Sequence, residues 1–231
     1  YRQIRVDELF HFGRTQFSGE VIQKELMILI TAEGNFSGDI DRRLIGLALQ
    51  QYDPAKNALI VIGHHGAAQL AERGIKYQRS FKTPEQDLNI NTAPLLEEVR
   101  KYASTVVYYP QYKSLMTQAV KQIRLSAAVL ERGSQIKDSQ DVIDEASYIF
   151  EPSTHAVVDH LENSMIQITL GEVILESKLA QYASRFKAMT TARRRAQENQ
   201  AEVGALYNRS RRQEKDERLR ETTNSLREFR L

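Results

Sequence analysis

The sequence predicts an α/β fold: a Rossmann-like βαβ globular unit, then one long C-terminal helix that forms half of a coiled coil. Two observations carry this. Short continuous apolar runs alternate with helical patterns from Lys24 to Pro152, and beyond Pro152 no proline occurs and glycine appears only at Gly171 and Gly204. The runs "LMILIT" (26–31) and "ALIVIG" (58–63) are short and bounded by turn residues, as strands buried on both faces should be. Between them, "GDIDRRLIGLALQQY" (38–52) sets Leu44, Leu47 and Ala48 on one helical face with Asp39 as N-cap, so it reads as a crossover helix and completes a βαβ unit. Further helices are predicted over "GAAQLAERG" (66–74) and "APLLEEVRKYA" (93–103), the latter leading into the strand "TVVYY" (105–109). Residues 112–130 fit a helix through "SLMTQAVKQI" and a strand through "VKQIRLSAAV"; the strand reading is taken. "ERGSQIKDSQDVID" (131–144) is polar and reads as a loop, and "YIFEP" (148–152) as a further strand.

After Pro152, Ser153 or Thr154 can cap a helix of about 75 residues, roughly 110 Å at about 1.5 Å per residue. Ile168, Leu175, Leu179, Tyr182, Phe186, Met189, Ala196, Val203 and Tyr207 follow the alternating three-and-four spacing of a coiled-coil seam, interrupted by Glu172, Arg193 and Gln200. A helix with so little apolar surface is marginal alone, because most helical stability comes from packing a stripe against something else. It needs a partner. "IRVDELFHF" (4–12) is helical in pattern, with Ile4, Leu9 and Phe12 near one face, but is too short to pair along more than a fraction of that length. Either the partner lies upstream of Tyr1 or another chain supplies it. The start at "YRQIRVDELFHF" without Met predicts a chain that begins inside an element, as a processed or fragmentary one would.

The composition suits a soluble globular protein with a real core: 231 residues, 41% hydrophobic. Charged residues make up 27% and nearly cancel at +2, so no blanket attraction to nucleic acid or lipid is implied. Cys is absent, which removes disulfides, thiolate metal sites and cysteine nucleophiles and fits a reducing compartment. No apolar run approaches the roughly 20 residues of a bilayer span, and no signal peptide is visible.

Candidate chemistry is sparse. "TAEGNFSGDID" (31–41) follows a strand and precedes a helix, where phosphate loops sit, but lacks both the Lys-Ser/Thr of a P-loop and the three-glycine dinucleotide fingerprint. A tight strand-to-helix turn is the simpler reading. "GHHG" (63–66) ends the second strand; a metal site would need a third ligand, and His11, His155 and His160 stand at no recognisable spacing, so His64 and His65 read as loop residues opening a helix. There is no G-x-S-x-G, and the acidic residues are scattered over helical faces. The basic stretches "TARRRAQ" (191–197) and "NRSRRQEKDERLRE" (208–221) would suit nucleic acid only as a net positive stripe, and Glu214, Asp216, Glu217 and Glu221 cut the second. Arg193, Arg194 and Arg195 remain a positive collar that a solitary helix does not explain.

The stretch 175–212 is the most specific. Glu176 and Ser177, then "ASRFKAM" (183–189), then "YNRSR" (207–211) stand without gaps at the spacing of a pattern reading approximately E-S-x-x-S-E-x-x-A-R-M-x-A-M and later Y-N-x-x-R-Q. Upstream, "YIFEPS" matches a strand ending in Glu-Pro, "ITAEGNFSGDID" keeps Gly34 and Gly38 of a Gly-rich turn, and "VIGHHG" stands where Gly-x-Lys/Arg-Gly is usual. By these motifs, and over nearly its whole length, the chain resembles the gamma subunit of the F-type rotary ATP synthase, in a divergent or alternate branch and lacking most of the N-terminal helix.

The resemblance implies a rotor, divided into the end of an N-terminal helix (1–12), an α/β domain (13–152) and a long helix (153–231). N- and C-terminal helices would form an antiparallel coiled coil piercing a hexamer of alpha and beta subunits, while its foot binds an epsilon-type subunit and the membrane rotor ring. It implies hexamer contacts at Arg211, Arg212 and Glu221 and foot contacts at Met165, Gln167, Gly171 and Glu172; Arg193, Arg194 and Arg195 are expected to face acidic hexamer loops. No catalytic residue, cofactor, metal or nucleic acid is expected in the chain. The complex would make or hydrolyse ATP while moving protons or sodium ions, with this subunit at the inner, cytoplasmic face of an energy-transducing membrane such as a bacterial plasma membrane. Departures fall at the tip, where Lys215, Asp216 and Arg218 replace apolar, hydroxyl and acidic positions, at Gln181 in place of Glu, and at the collar, usually Thr, Asp and Asn. Two alternatives compete: a stand-alone α/β nucleotide-binding protein and a nucleic-acid-binding one, each with a helical tail.

Overall fold

The computed structural model describes residues 21–34, 37–83, 90–125, 127, 151 and 153–228. Its elements run β1 (Ile22–Ile30), α1 (Ile40–Gln51), β2 (Asn57–Ile62), α2 (His64–Glu72), β3 (Arg79–Phe81), α3 (Ala93–Arg100), β4 (Tyr102–Tyr112), β5 (Gln118–Arg124) and α4 (Thr154–Glu228). The chain divides into two compact units, Tyr1–Phe186 and Lys187–Leu231, with the boundary inside α4.

In the first unit the strands form one sheet in the order β3-β2-β1-β4-β5. β1 pairs in parallel with β2 and β4, β2 in parallel with β3, and β5 runs antiparallel to β4. The chain winds outward from β1 through β2 to β3 and then returns to β4 on the other side of β1, so the sheet is doubly wound and its switch point lies between β1 and β4. Alternation along β1 divides two cores. Leu26, Ile28 and Ile30 pack with Ile60, Val107 and Tyr109 beneath α3 and α4, while Met27 and Leu29 pack with Leu59, Val61 and Tyr108 beneath α1 and α2.

The predicted βαβ unit is present, with corrections at its edges. Asp39 holds the N-cap position of α1, but its side chain makes no capping hydrogen bond. Its carboxylate reaches Arg43 at 3.9 Å instead, both side chains being exposed. The helix expected over 66–74 opens two residues earlier, at His64, because Gly63 breaks the chain at φ 101° and frees the next residue to be helical. The helix expected to reach residue 103 stops at Arg100, since Tyr102 and Ala103 already belong to β4. The strand taken for residues 112–130 is narrower, β5, joined to β4 by a turn in which Ser114 and Thr117 exchange backbone hydrogen bonds. The strand at 148–152, the loop at 131–144 and the helix at 1–12 lie outside the described residues, apart from Glu151.

At the start of α4 the cap is Ser153: its hydroxyl accepts the N–H of Ala156 at 3.2 Å. The predicted seam residues Leu175, Leu179, Tyr182 and Phe186 are 41–54% exposed, whereas Ile166, Leu170, Val173, Ile174, Ala180 and Ala183, on the neighbouring stripe, are at most 8% exposed. The helix is therefore apolar along two stripes, one packed on the sheet and one exposed among the described residues. In the second unit, Met189, Val203, Leu206, Tyr207 and Leu219 are exposed as well.

Candidate functional site at the carboxyl edge of the sheet and along the long helix

Ligands of doubly wound sheets bind outside the carboxyl ends of the strands at the switch point. On the β2 side of β1 that carboxyl edge carries residues 31–34 and 37–41 after β1 and the "GHHG" turn after β2, stretches remote in sequence. Thr31 is fully buried and joins them. Its hydroxyl donates to the carbonyl of Ile62 at 2.9 Å and accepts the N–H of Gly66 at 3.1 Å. A Cβ on Gly63 would stand 2.3 Å from the Thr31 carbonyl oxygen, and one on Gly66 2.4 Å from Thr31 Oγ1. Both glycines are demanded by this close approach.

The place a phosphate would take is filled from within. Asp41, in the first turn of α1, has a fully buried side chain. Its carboxylate accepts the N–H of Ala32 at 3.4 Å, the Ser37 hydroxyl at 2.8 Å and His65 Nδ1 at 2.6 Å. With Nδ1–H donating to Asp41, His65 Nε2 accepts from the Gln69 amide at 3.2 Å, so both ring nitrogens are satisfied. A second anion would be repelled there by the buried carboxylate, so the arrangement does not suit nucleotide phosphates. Ser37 Oγ reaches both Asp41 and His65, yet the residue is 2% exposed, which removes it from reach as a nucleophile. Among the described residues, no group of three or more His, Cys, Asp and Glu is placed to hold a metal ion.

Polar contacts then bind the Thr154–Phe186 part of α4 to this unit. The hydroxyl of Ser184 donates to the Ser37 carbonyl. Arg100 Nη2 meets Asp159 at 3.4 Å, with Asn163 donating to the same carboxylate oxygen at 3.1 Å. Between them Tyr109, on β4, hydrogen-bonds Glu176. Burial, the Glu176 charge and that hydrogen bond together push the Tyr109 phenol far above its ordinary range. Ser177, beside Glu176, is fully buried and accepts from Gln181 Nε2 at 2.9 Å.

The residues singled out from sequence lie along α4. Met165 is packed against the sheet core, Gln167 and Gly171 are half-buried, and Glu172 is exposed. In the second unit Arg193, Arg194, Arg195, Arg211, Arg212 and Glu221 are all exposed. The three consecutive arginines span an arc of about 200° around the helix, a true collar. Arg194 has a loose contact with Glu198 at 3.7 Å, and nearer the tip Arg218 pairs with Glu214 at 2.6 Å. Such interleaved charge suits contact with protein of mixed charge better than a phosphate backbone. Sequence reading passed over Asp41, Ser184 and Asp159, whose partners lie far along the chain; a buried-type Asp beside a glycine turn was the one available signal for Asp41.

A doubly wound sheet with a buried carboxylate at its β1–β2 edge, carrying a long helix whose second apolar stripe is exposed among the described residues, defines the class: an α/β domain joined to a coiled-coil helix. The comparisons identify which one. The family model described as ATP synthase matches residues 6–224, and the chain belongs to that family. Among its relatives, the ATP synthase gamma chain of Chlorobium phaeobacteroides (strain BS1) is 25% identical over 208 residues, 82% of this chain and 68% of that one. That of Chlorobium luteolum is 28% identical over 204 residues, covering 80% and 67%. The fold is shared with a chain of the Euglena gracilis mitochondrial ATP synthase (OSCP/F1/c-ring, rotational state 3), with a TM-score of 0.71 and 14% identity over 96% of this chain and 81% of that one. A chain from the rotor of the same organism's enzyme gives a TM-score of 0.65 at 16% identity, covering 90% and 84%.

Proposed function

We propose that this chain is the central-stalk rotor subunit of an F-type ATP synthase, conveying torque between a membrane ring driven by ion flow and a hexamer of alpha and beta subunits, and that it contributes no catalytic group of its own. The observation that carries the reading is the division of labour on α4: one stripe is sunk in the α/β core, and Leu175, Leu179, Tyr182 and Phe186 are presented outward for a partner. The seam fits pairing with an N-terminal helix, as the resemblance implies. An asymmetric shaft touches three equivalent catalytic subunits differently, so each angular position favours a different set of nucleotide affinities; that differential contact is the whole mechanism required of this chain.

Within this reading, Arg193, Arg194, Arg195, Arg211, Arg212 and Glu221 contact the hexamer, and Met165, Gln167, Gly171 and Glu172 lie towards the foot, the epsilon-type subunit and the ring. The subunit would sit peripherally at the inner face of an energy-transducing membrane; among the described residues no helix is long and apolar enough to cross one. The test is reassembly. Combined with its hexamer and membrane sector, the chain is expected at one copy per complex and to restore ATP-driven ion pumping, and replacing Arg193, Arg194 and Arg195 by Glu is expected to lower coupled ATP synthesis at least tenfold. Copurification as a free monomer that restores no pumping would overturn the reading.

A further inference from the structure

The loop after β1 touches two systems at once. Through its hydroxyl, Ser37 is held by the buried Asp41, which is in turn held by His65; through its carbonyl, Ser37 receives the hydroxyl of Ser184 on α4. Two helices, α1 through Asp41 and α2 through His65, thus fix the position of one acceptor for the long helix. The same loop is covered by the next residue of α4: a Cβ on Gly34 would come within 3.2 Å of Arg185 Nη2. Ser184 is 4% exposed and Ser37 2%, so water does not compete for this contact. Towards this end of the interface α4 offers small residues, Ala180 and Ala183, where Leu170, Val173 and Ile174 fill it earlier.

Apolar contact resists separation but is non-directional, so it opposes sliding and turning of a helix on a sheet only through shape. A buried hydrogen bond has a direction and is expensive to leave unmade. We propose that the turn at Ser37 is a bracket that locks the Thr154–Phe186 part of α4 to the sheet, with Asp41 and His65 as positioning residues that hold Ser37 and its carbonyl, and Ser184 as the latch. The Arg100–Asp159 pair secures the opposite end of the buried stretch. In this chain the carboxyl edge, elsewhere a ligand crevice, serves as a mechanical joint. The proposal rests on the rotor reading, since a joint of this kind matters only where helix and globular unit turn together under load.

The experiment uses the fully assembled complex and reads ions pumped per ATP hydrolysed. Ser184→Ala is expected to lower that ratio at least twofold, and Ser184→Thr, which keeps the hydroxyl, to restore most of it. Asp41→Asn is expected to lower it comparably, and the double variant Asp41→Asn/Ser184→Ala to be no worse than either single change, because both act through one contact. A Ser184→Ala complex that pumps like the wild type, or losses that add in the double variant, would each overturn the bracket. Should Asp41→Asn fail to assemble, the Ser184→Ala and Ser184→Thr comparison decides. A wild-type chain that assembles without supporting any pumping removes the rotor reading itself, and the bracket with it.

Discussion

Tyr109, buried on β4, and Glu176, on the sheet-facing side of α4, share a hydrogen bond that joins the centre of the sheet to the long helix. While the phenol keeps its proton it can donate to Glu176; once ionised it would face a like charge in a buried place. Tyr108, its neighbour on the opposite face, is also raised, first by burial and then by Glu25, with Arg124 acting the other way.

The consequence is an alkaline limb. A group whose pKa is higher in the folded than in the unfolded state gives stability that is complete below the unfolded value and fades as pH rises past it. Both tyrosines start from 10.0, so urea midpoints should hold steady to about pH 9 and then fall. Tyr109→Phe should flatten much of that fall and leave the part due to Tyr108. An equally steep fall in midpoint above about pH 9 for the wild type and Tyr109→Phe would contradict the assignment.

Two glycines should respond in opposite directions. Gly66→Ala forces a methyl to 2.4 Å from Thr31 Oγ1 and 2.6 Å from its Cγ2, an overpacking worth about 1–3 kcal/mol of lost stability. A methyl on Gly171 meets nothing within 4 Å, and relief of glycine's helix penalty should add about 0.5–1 kcal/mol to the chain alone. If Gly171 also faces the foot, Gly171→Ala should weaken assembly with the ring while raising the thermal midpoint. Calorimetry on the chain and pull-down with the ring separate the two effects.

The two stripes of α4 predict a second contrast. Leu170→Ala opens the core at a fully buried position and should cost about 2–5 kcal/mol in chemical denaturation. Leu179→Ala, at a side chain 52% exposed, should change the stability of the chain by no more than about 0.5 kcal/mol. Its effect belongs to assembly.

β3 should depend on Glu98. That carboxylate, 11% exposed, takes Arg79 Nη1 at 2.5 Å and Lys101 Nζ at 3.0 Å. Glu98→Ala should fray the edge strand, seen as faster hydrogen exchange at the Gly63 amide, which donates to the Phe81 carbonyl. Unchanged exchange at Gly63 would mean that backbone pairing alone holds β3.

Much of this architecture could be read from local pattern. β1 and β2 are continuous apolar runs because both of their faces are covered, and the seam of α4 shows as a three-and-four spacing that needs no tertiary knowledge. β3 was not legible: three residues, "RSF", make no run, and the strand exists through its register with Ile60, Val61 and Ile62. The sheet-facing stripe of α4 was hidden by its own chemistry, since Ser177, Ala180 and Ser184 are small or polar and read as surface until a partner is placed beside them. The polar bracket is hidden for a different reason. His65 and Asp41 stand 24 residues apart, and Ser184 and Ser37 147 apart. Spacing rules describe one element at a time, and these contacts exist only between elements.

The outward stripe of α4 bears on how a cell must make this protein. Until that stripe is paired with an N-terminal helix, Leu175, Leu179, Tyr182 and Phe186 stand in solution as a greasy strip, the kind of surface that sticks to its own kind and to chaperones. Zipping the two helices together is thus a step that has to precede safe storage of the subunit.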